Sequence, residues 1–235
     1  MLNKKINTIE DIFKSETKDR GLVLNIIICI VSFLIFYFAP SIFYAISYVI
    51  CKNQMISEII GRIMAIILIG LFYYKDLQKE FRELKNHIGT KIGVAFKYYG
   101  IGIAVMMISN LILLIVFKDI STNETQVRQL LMENPLPMMF TISILAPLIE
   151  ELTFRKSIKD AINSKWIYVL ISGLVFGGLH VISSINSPID LIYLVPYCSL
   201  GFIFALLYYK TNNIFSTITA HSFHNTLALI LYLIG

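Results

Sequence analysis

The sequence predicts an all-α fold, a polytopic transmembrane helix bundle of seven to eight helices with a buried polar site. Three observations predict it. First, the chain is 57% hydrophobic and only 15% charged, with a mean hydropathy of +0.73, whereas soluble globular chains are roughly 45–50% apolar and about 25% charged. Second, the apolar residues gather into seven runs, at 22–50, 55–74, 93–117, 137–160, 166–183, 189–209 and 213–234. Each is near or above the ~20 residues that cross a hydrocarbon core. Third, Glu150, Glu151, Arg155, His180, His221 and His224 are stranded inside the last four of these runs. An ionisable group at membrane depth is costly unless it pairs or faces a wet cavity, so its presence marks function.

The elements follow in order. Residues 1–21 form a cytoplasmic amphipathic arm in which Ile6, Ile9, Ile12 and Phe13 recur at helical spacing among lysines, as in a helix lying on a membrane surface. Residues 22–135 hold the N-terminal spans and their amphipathic connections, and residues 136–235 a core of four helices. The first run carries Pro40, which can kink or split it and so make an eighth helix. In the 75–92 loop, Leu77, Phe81, Leu84 and Ile88 fall at i, i+4, i+7 and i+11, the period of an amphipathic helix. Residues 123–135 form a polar, partly amphipathic outer piece ending at Asn134-Pro135. Glu58 and Arg62 make a structural i, i+4 pair. Ser109 and Asn110 bond between helices, and His87 is a surface residue.

Lysine and arginine concentrate in the arm, in 75–92, in 155–165 and at 209–213. The intervening loops are poor in them. That alternation predicts a multi-pass protein of the cell membrane with its N-terminus in the cytoplasm and its C-terminus outside. The charged 155–165 turn is then inside, and the polar site is expected to open toward the cytoplasm. The lipid bilayer is the expected surrounding partner. The net charge of +5 is topological and predicts no nucleic-acid partner. Cys29, Cys51 and Cys198 are odd in number and scattered, so no disulfide framework is expected. No cleavable signal peptide is evident.

The polar cluster has an internal logic. Adjacent helical residues point about 100° apart, so Glu150 and Glu151 have different duties. Arg155 follows Glu151 at i+4, the favourable orientation for a helical ion pair. Glu151 is therefore neutralised and supporting. Glu150 has Phe154 at i+4 and is free to face the interior, where a carboxylate suits general-base work. With the turn near Ser164-Lys165, Glu150 and His180 lie at equal distances on either side, so an antiparallel hairpin brings them to equal depth. His221 and Asn225 share one face of the last helix and can donate two hydrogen bonds to a developing oxyanion. His224 lies about 60° off that face. Pro147 removes one helical hydrogen bond and frees the Ser143 carbonyl, kinking the helix or admitting water.

These residues spell Glu150-Glu151-xxx-Arg155, Phe176-xxx-His180 and His221-xxx-Asn225. In that order, and on separate apolar segments, they resemble the EExxxR, FxxxH and HxxxN motifs of the CAAX protease and bacteriocin-processing (CPBP, Abi) family of intramembrane proteases. The resemblance covers roughly residues 137–230. It implies that Glu150 activates water, that His180 helps position it, and that His221 and Asn225 hold the oxyanion, with Glu151, Arg155 and Phe176 supporting. It implies no required cofactor. Zinc would take Glu150, His180 and His221, since carboxylate and imidazole are ordinary zinc ligands, but HExxH is absent. GxSG and GxGD are absent too, unlike rhomboid and presenilin-like proteases.

Two functions compete. The first is an intramembrane endopeptidase acting on a peptide or membrane-protein substrate, with a quorum-sensing or bacteriocin precursor suggested by the family. The second is a non-catalytic membrane partner, such as a bacteriocin immunity factor or signalling regulator. Every motif position is intact, which favours the first. A proton-coupled transporter is third, because no inverted repeat with broken helices is present.

Overall fold

Eight helices, joined by short links, account for nearly all of the computed structural model, which describes residues 20–117, 122–182, 185 and 187–234. The expected arm at 6–13 lies outside the described residues. We label the helices α1 (Leu22–Cys51), α2 (Gln54–Asn86), α3 (Ile88–Phe117), α4 (Thr122–Glu133), α5 (Pro135–Ala161), α6 (Lys165–Ile182), α7 (Leu194–Thr211) and α8 (Ile214–Ile234). A 3₁₀ turn, Pro188–Tyr193, leads into α7. No strand occurs among the described residues.

Among the described residues, six helices are long and apolar enough to cross a membrane: α1, α2, α3, α5, α6 and the Pro188–Thr211 unit containing α7. The sequence reading counted α8 as a seventh span. At 21 residues it is long enough, but Ser216, Thr217, Thr219, His221, Ser222, His224, Asn225 and Thr226 dilute its apolar character. It turns that polar face inward, burying Ser216, Thr217 and His221.

Two further expectations change. Pro40 does not split the first run, and α1 continues through it to Cys51. The 75–92 segment is helical, yet it is not a separate loop helix. α2 runs on to Asn86, and a single break at His87 precedes α3. Leu77 faces inward there, against both the α1–α2–α5 cluster and the α5–α6–α7 cluster. The polar piece expected at 123–135 is helical over Thr122–Glu133.

Helix ends are paired by contacts that define two ends of the bundle. At the first, which we call the inner end, Arg20 bonds Asp76 at 2.6 Å, Lys91 Nζ donates to the Thr211 carbonyl at 3.3 Å and Asn213 Nδ2 donates to the Glu80 carbonyl at 2.6 Å. Glu80 Oε2 accepts the Ile214 N–H at 2.6 Å, an anion on the N-terminus of α8 where the helix dipole favours it. Lys156 Nζ sits 3.2–3.6 Å from carboxylate oxygens of Asp160, Glu80 and Asp76. At the outer end, Leu131, Met138 and Leu229 form a cluster, and the Arg128 guanidinium lies 4.6 Å from the Tyr232 ring centre.

α5 is the central helix. Every residue from Glu151 to Ile158 is buried, as expected of a helix covered on all sides. α6 and α7 touch through small residues. A Cβ on Gly177 would lie 2.3 Å from Cys198 Sγ and 2.7 Å from its backbone nitrogen, and one on Gly201 would lie 2.8 Å from the Gly173 carbonyl oxygen. Close backbone approach at glycine is a common way for helices to associate in lipid. Gly177→Ala is therefore expected to lower the thermal unfolding temperature in detergent, at about 1–3 kcal/mol for overpacking. Gly100→Ala, where nothing lies within 4 Å, is the matched control that should leave it unchanged.

Candidate functional site

The site is built where α5 loses the regular α-helical register. Thr141–Leu145 and Glu151–Ser157 are both π-helical, a form found mostly as local bulges at functional positions. The first bulge has a visible cause. The Ala146 N–H bonds to the Thr141 carbonyl, five residues back, and the next donor in that register would be residue 147. Residue 147 is proline and has no N–H. In that register the Ile142 carbonyl has no N–H at position 147 to accept from. Asn225 Nδ2 donates to it at 2.9 Å. One amide hydrogen of Asn225 thus ties α8 to α5, and the other remains for a second acceptor.

This coupling is testable. Asn225→Ala is expected to cost about 1–2 kcal/mol by leaving that carbonyl without its donor. Pro147→Ala supplies an N–H in its place, so Asn225→Ala should cost less in that background. Thermal unfolding of the four variants in one detergent closes the cycle. Equal losses in both backgrounds would sink the account.

The second bulge carries Glu151 and Arg155. Both side chains are wholly buried, and Arg155 Nε lies 3.3 Å from Glu151 Oε2. The pair is the one the i, i+4 spacing predicts. The other Glu151 oxygen accepts from His221 Nδ1 at 2.8 Å. That contact is not legible in the sequence, since it joins positions 70 residues apart. On the far side of the same ring, His221 Nε2 is 3.8 Å from Glu150 Oε2. The His221 ring therefore stands between the two adjacent glutamates, which point in different directions as neighbours on a helix must.

Phe176 is the hub of the site. Its ring centre is 4.3 Å from the Arg155 guanidinium carbon, 4.5 Å from the His180 ring and 5.6 Å from the His221 ring. A guanidinium on an aromatic face gains a cation–π attraction that strengthens with desolvation. Phe176 thus holds the cation that neutralises Glu151. One turn along α6, His180 Nδ1 donates to the Phe176 carbonyl at 2.8 Å, because a carbonyl oxygen can only accept. Tyr197 stacks on His180 at 5.1 Å, and Phe204 lies tilted against His221 at 5.2 Å. Sequence reasoning missed both. An aromatic residue in an apolar run carries no sign of whether it faces lipid or a site.

Glu150, His180, His221 and Asn225 all line one cavity of about 630 Å³. The hairpin-depth argument places Glu150 and His180 in the same space. The imidazole found against Glu150 is that of His221. His224, ranked behind its neighbours from helix geometry, also lines the cavity and packs on Tyr99 at 5.9 Å. Arg62 pairs with Glu58 at 2.9 Å as expected, and it reaches the cavity wall as well. Asn110 lines the cavity too. Ser109 instead bonds its own helix, to the Val105 carbonyl. The cavity wall extends to Arg62, Glu124, Arg128, Tyr193 and Tyr232, at the end of the bundle away from the 155–165 turn. Among the described residues, no three His, Cys, Asp or Glu gather closely enough to hold a metal ion.

Comparison with known proteins points the same way over the second half of the chain. Residues 132–227 match the family described as "Type II CAAX prenyl endopeptidase Rce1-like". The chain is 38% identical over 101 residues to "Putative membrane peptidase YdiL" of Bacillus subtilis (strain 168), covering 41% of this chain and 38% of that protein. It is 34% identical over 102 residues to "UPF0177 protein YxdF" of Lactococcus lactis subsp. lactis (strain IL1403), covering 43% of this chain and 54% of that one. The match thus spans about half or less of each relative's length. No solved structure matches the chain significantly. All three motifs, the two π-helical bulges and the cavity wall around Glu150 fall inside the stretch that is similar to the Rce1-like family.

Proposed function

We propose that the protein is an intramembrane endopeptidase that hydrolyses a peptide bond with water activated by Glu150. The observation that carries this reading is the pairing of a cavity-facing carboxylate with a second, buried one. Glu151 accepts from His221, lies at ion-pair distance from Arg155 and is wholly buried, while Glu150 lines the cavity, with His221 Nε2 3.8 Å away. Glu150 is thus the carboxylate placed to take a proton.

In this mechanism Glu150 removes a proton from water, and the hydroxide attacks the substrate carbonyl carbon. His180 orients the water from the opposite wall. The carbonyl oxygen takes the negative charge and accepts hydrogen bonds from the second amide hydrogen of Asn225 and from His221. His221 already donates through Nδ1 to Glu151, so Nε2 donates only when the ring carries both protons. Its positive charge would then lie between the two glutamates, close to the oxyanion. Glu150 returns its proton to the leaving nitrogen, the C–N bond breaks, and a carboxylic acid and an amine are released. Preorganised donors of this kind are the largest single contribution in many acyl-transfer sites. No cofactor is invoked. The partners in this reading are a peptide or membrane-protein substrate and the bilayer, with the N-terminus in the cytoplasm.

The test compares peptide termini in membranes and medium from cells carrying the wild type or Glu150→Gln. Particular termini are expected to vanish in the variant at equal protein abundance, and those termini identify the substrate. Matching profiles, together with a phenotype on deletion, would instead make this chain a non-catalytic membrane partner.

A further inference from the structure

We infer that the cavity is entered from the outer face of the membrane, and that its occupant is a polypeptide segment presented on that side. Naming the occupant as polypeptide rests on the protease reading. The direction of entry does not.

Three independent observations carry it. The first is where the cavity wall lies. From Glu150 and His221 at mid-depth it extends through Asn110 and Tyr197 to Arg62, Glu124, Arg128 and Tyr232. These belong to the outer end, where Arg128 meets Tyr232 and Ser47 meets the Ser57 carbonyl. No described residue of 75–100, 155–175 or 205–218 lines it.

The second is what fills the other end. Between the site and the inner surface lie the fully or nearly fully buried Phe154, Ile158, Tyr168, Tyr208 and Ile214. Beyond them, Lys156 is held by Asp76, Glu80 and Asp160, and Glu80 also accepts from Ile214 N–H and from Tyr208 Oη. Lys91 is buried against Glu83 and Thr211. This is a packed apolar layer under a charge-paired polar one. Opening it to a substrate would separate buried ions from their partners, which is strongly unfavourable.

The third is the charge asymmetry between the two ends. Among the described residues the outer end carries Lys52, Arg62 and Arg128, and Arg128 is paired with Glu124. The inner end carries Arg20, the cations of 75–97, and Lys156, Lys159, Lys165 and Lys210. Short links rich in lysine and arginine stay in the cytoplasm, so the cavity end faces outward. A cytoplasmic tail would have to cross the plugged end to reach Glu150. A segment emerging on the outer side meets Tyr193, Tyr197 and Tyr232 on the way in, and their rings and hydroxyls suit a partly apolar peptide strand.

The native cysteines provide the test. Cys51 is exposed at the outer end of α1, and Cys29 and Cys198 are half-buried and buried. The full chain, with Cys29→Ala and Cys198→Ala and Cys51 kept as the outer reporter, receives Ser164→Cys as inner reporter. Ala228→Cys or Ala146→Cys is then added as cavity reporter. Each is treated in right-side-out and inside-out membrane vesicles with a sulfonated, membrane-impermeant methanethiosulfonate, and total thiol is counted after denaturation. Thiols react as thiolates in water, so a dry site stays silent.

The expected result is that Cys51 and both cavity cysteines react faster in right-side-out vesicles, by roughly an order of magnitude, and Ser164→Cys faster in inside-out ones. Cavity cysteines that react with Ser164→Cys, or that stay silent from both sides, overturn the proposal. So does Cys51 reacting from the cytoplasmic face. Two cavity positions guard against one misfolded variant, whose Cys51 and Ser164→Cys pattern would be disturbed. Because the readout is labelling, it stands whether or not Glu150→Gln abolishes cleavage.

Discussion

Glu150→Gln is expected to slow hydrolysis by about 10²–10⁴-fold, the range for a lost general base, while leaving the bundle as stable as wild type. The argument for both halves is local. The Glu150 side chain is 15% exposed and faces the cavity, and its recorded ionic contact is the 3.8 Å approach to His221 Nε2. Glutamine has the same shape and fills the same space, so little packing or pairing is lost. What disappears is the capacity to take a proton from water. The check is an initial rate of terminus formation by purified protein in lipid nanodiscs, run beside thermal unfolding of the same samples. A wild-type rate would remove Glu150 from the chemistry. A large fall in the unfolding temperature would make it a structural residue instead.

Arg155→Ala is expected to destabilise the protein by about 3–5 kcal/mol, the effect of stranding one member of a buried ion pair. Arg155 and Glu151 are wholly buried, and the guanidinium also rests on Phe176 and lies 5.8 Å from Phe204. Truncation leaves the Glu151 carboxylate with His221 alone, one residue from Glu150. Replacing both partners, Glu151→Gln with Arg155→Met, removes the uncompensated charge and should recover much of the stability. It should not recover activity, because His221 would lose the carboxylate that orients its ring. Thermal unfolding and turnover measured together separate the two effects. If Arg155→Ala unfolds like wild type, the ion pair is not what holds α5 in place. If the double variant hydrolyses substrate at the wild-type rate, His221 needs no such orientation.

These two variants divide what adjacent glutamates do, and the division follows from helix geometry alone. Residues one apart cannot face the same way, so the sequence already separated a cavity carboxylate from a paired one. The same kind of local regularity made the membrane class, the helix positions, the turn near Ser164, the Glu58–Arg62 pair and the Glu151–Arg155 pair readable. All are set within about one helical turn or by the length of an apolar run, and no distant residue is needed to specify them.

The tertiary structure decided what depends on partners far along the chain. Only there does His221 meet Glu151 across 70 positions, and only there does Phe176 touch Arg155, His180 and His221 at once. The π register of α5 likewise leaves the Ile142 carbonyl as the acceptor for Asn225. The end of the bundle that the cavity wall reaches was beyond the sequence for the same reason. Hydropathy and charge rank each segment by its own composition, and they placed the charged 155–165 turn correctly at one end of the bundle. Whether that end is open or sealed depends on Lys156, Glu80, Asp76 and Asp160 converging from separate helices, a matter of packing rather than of any local pattern.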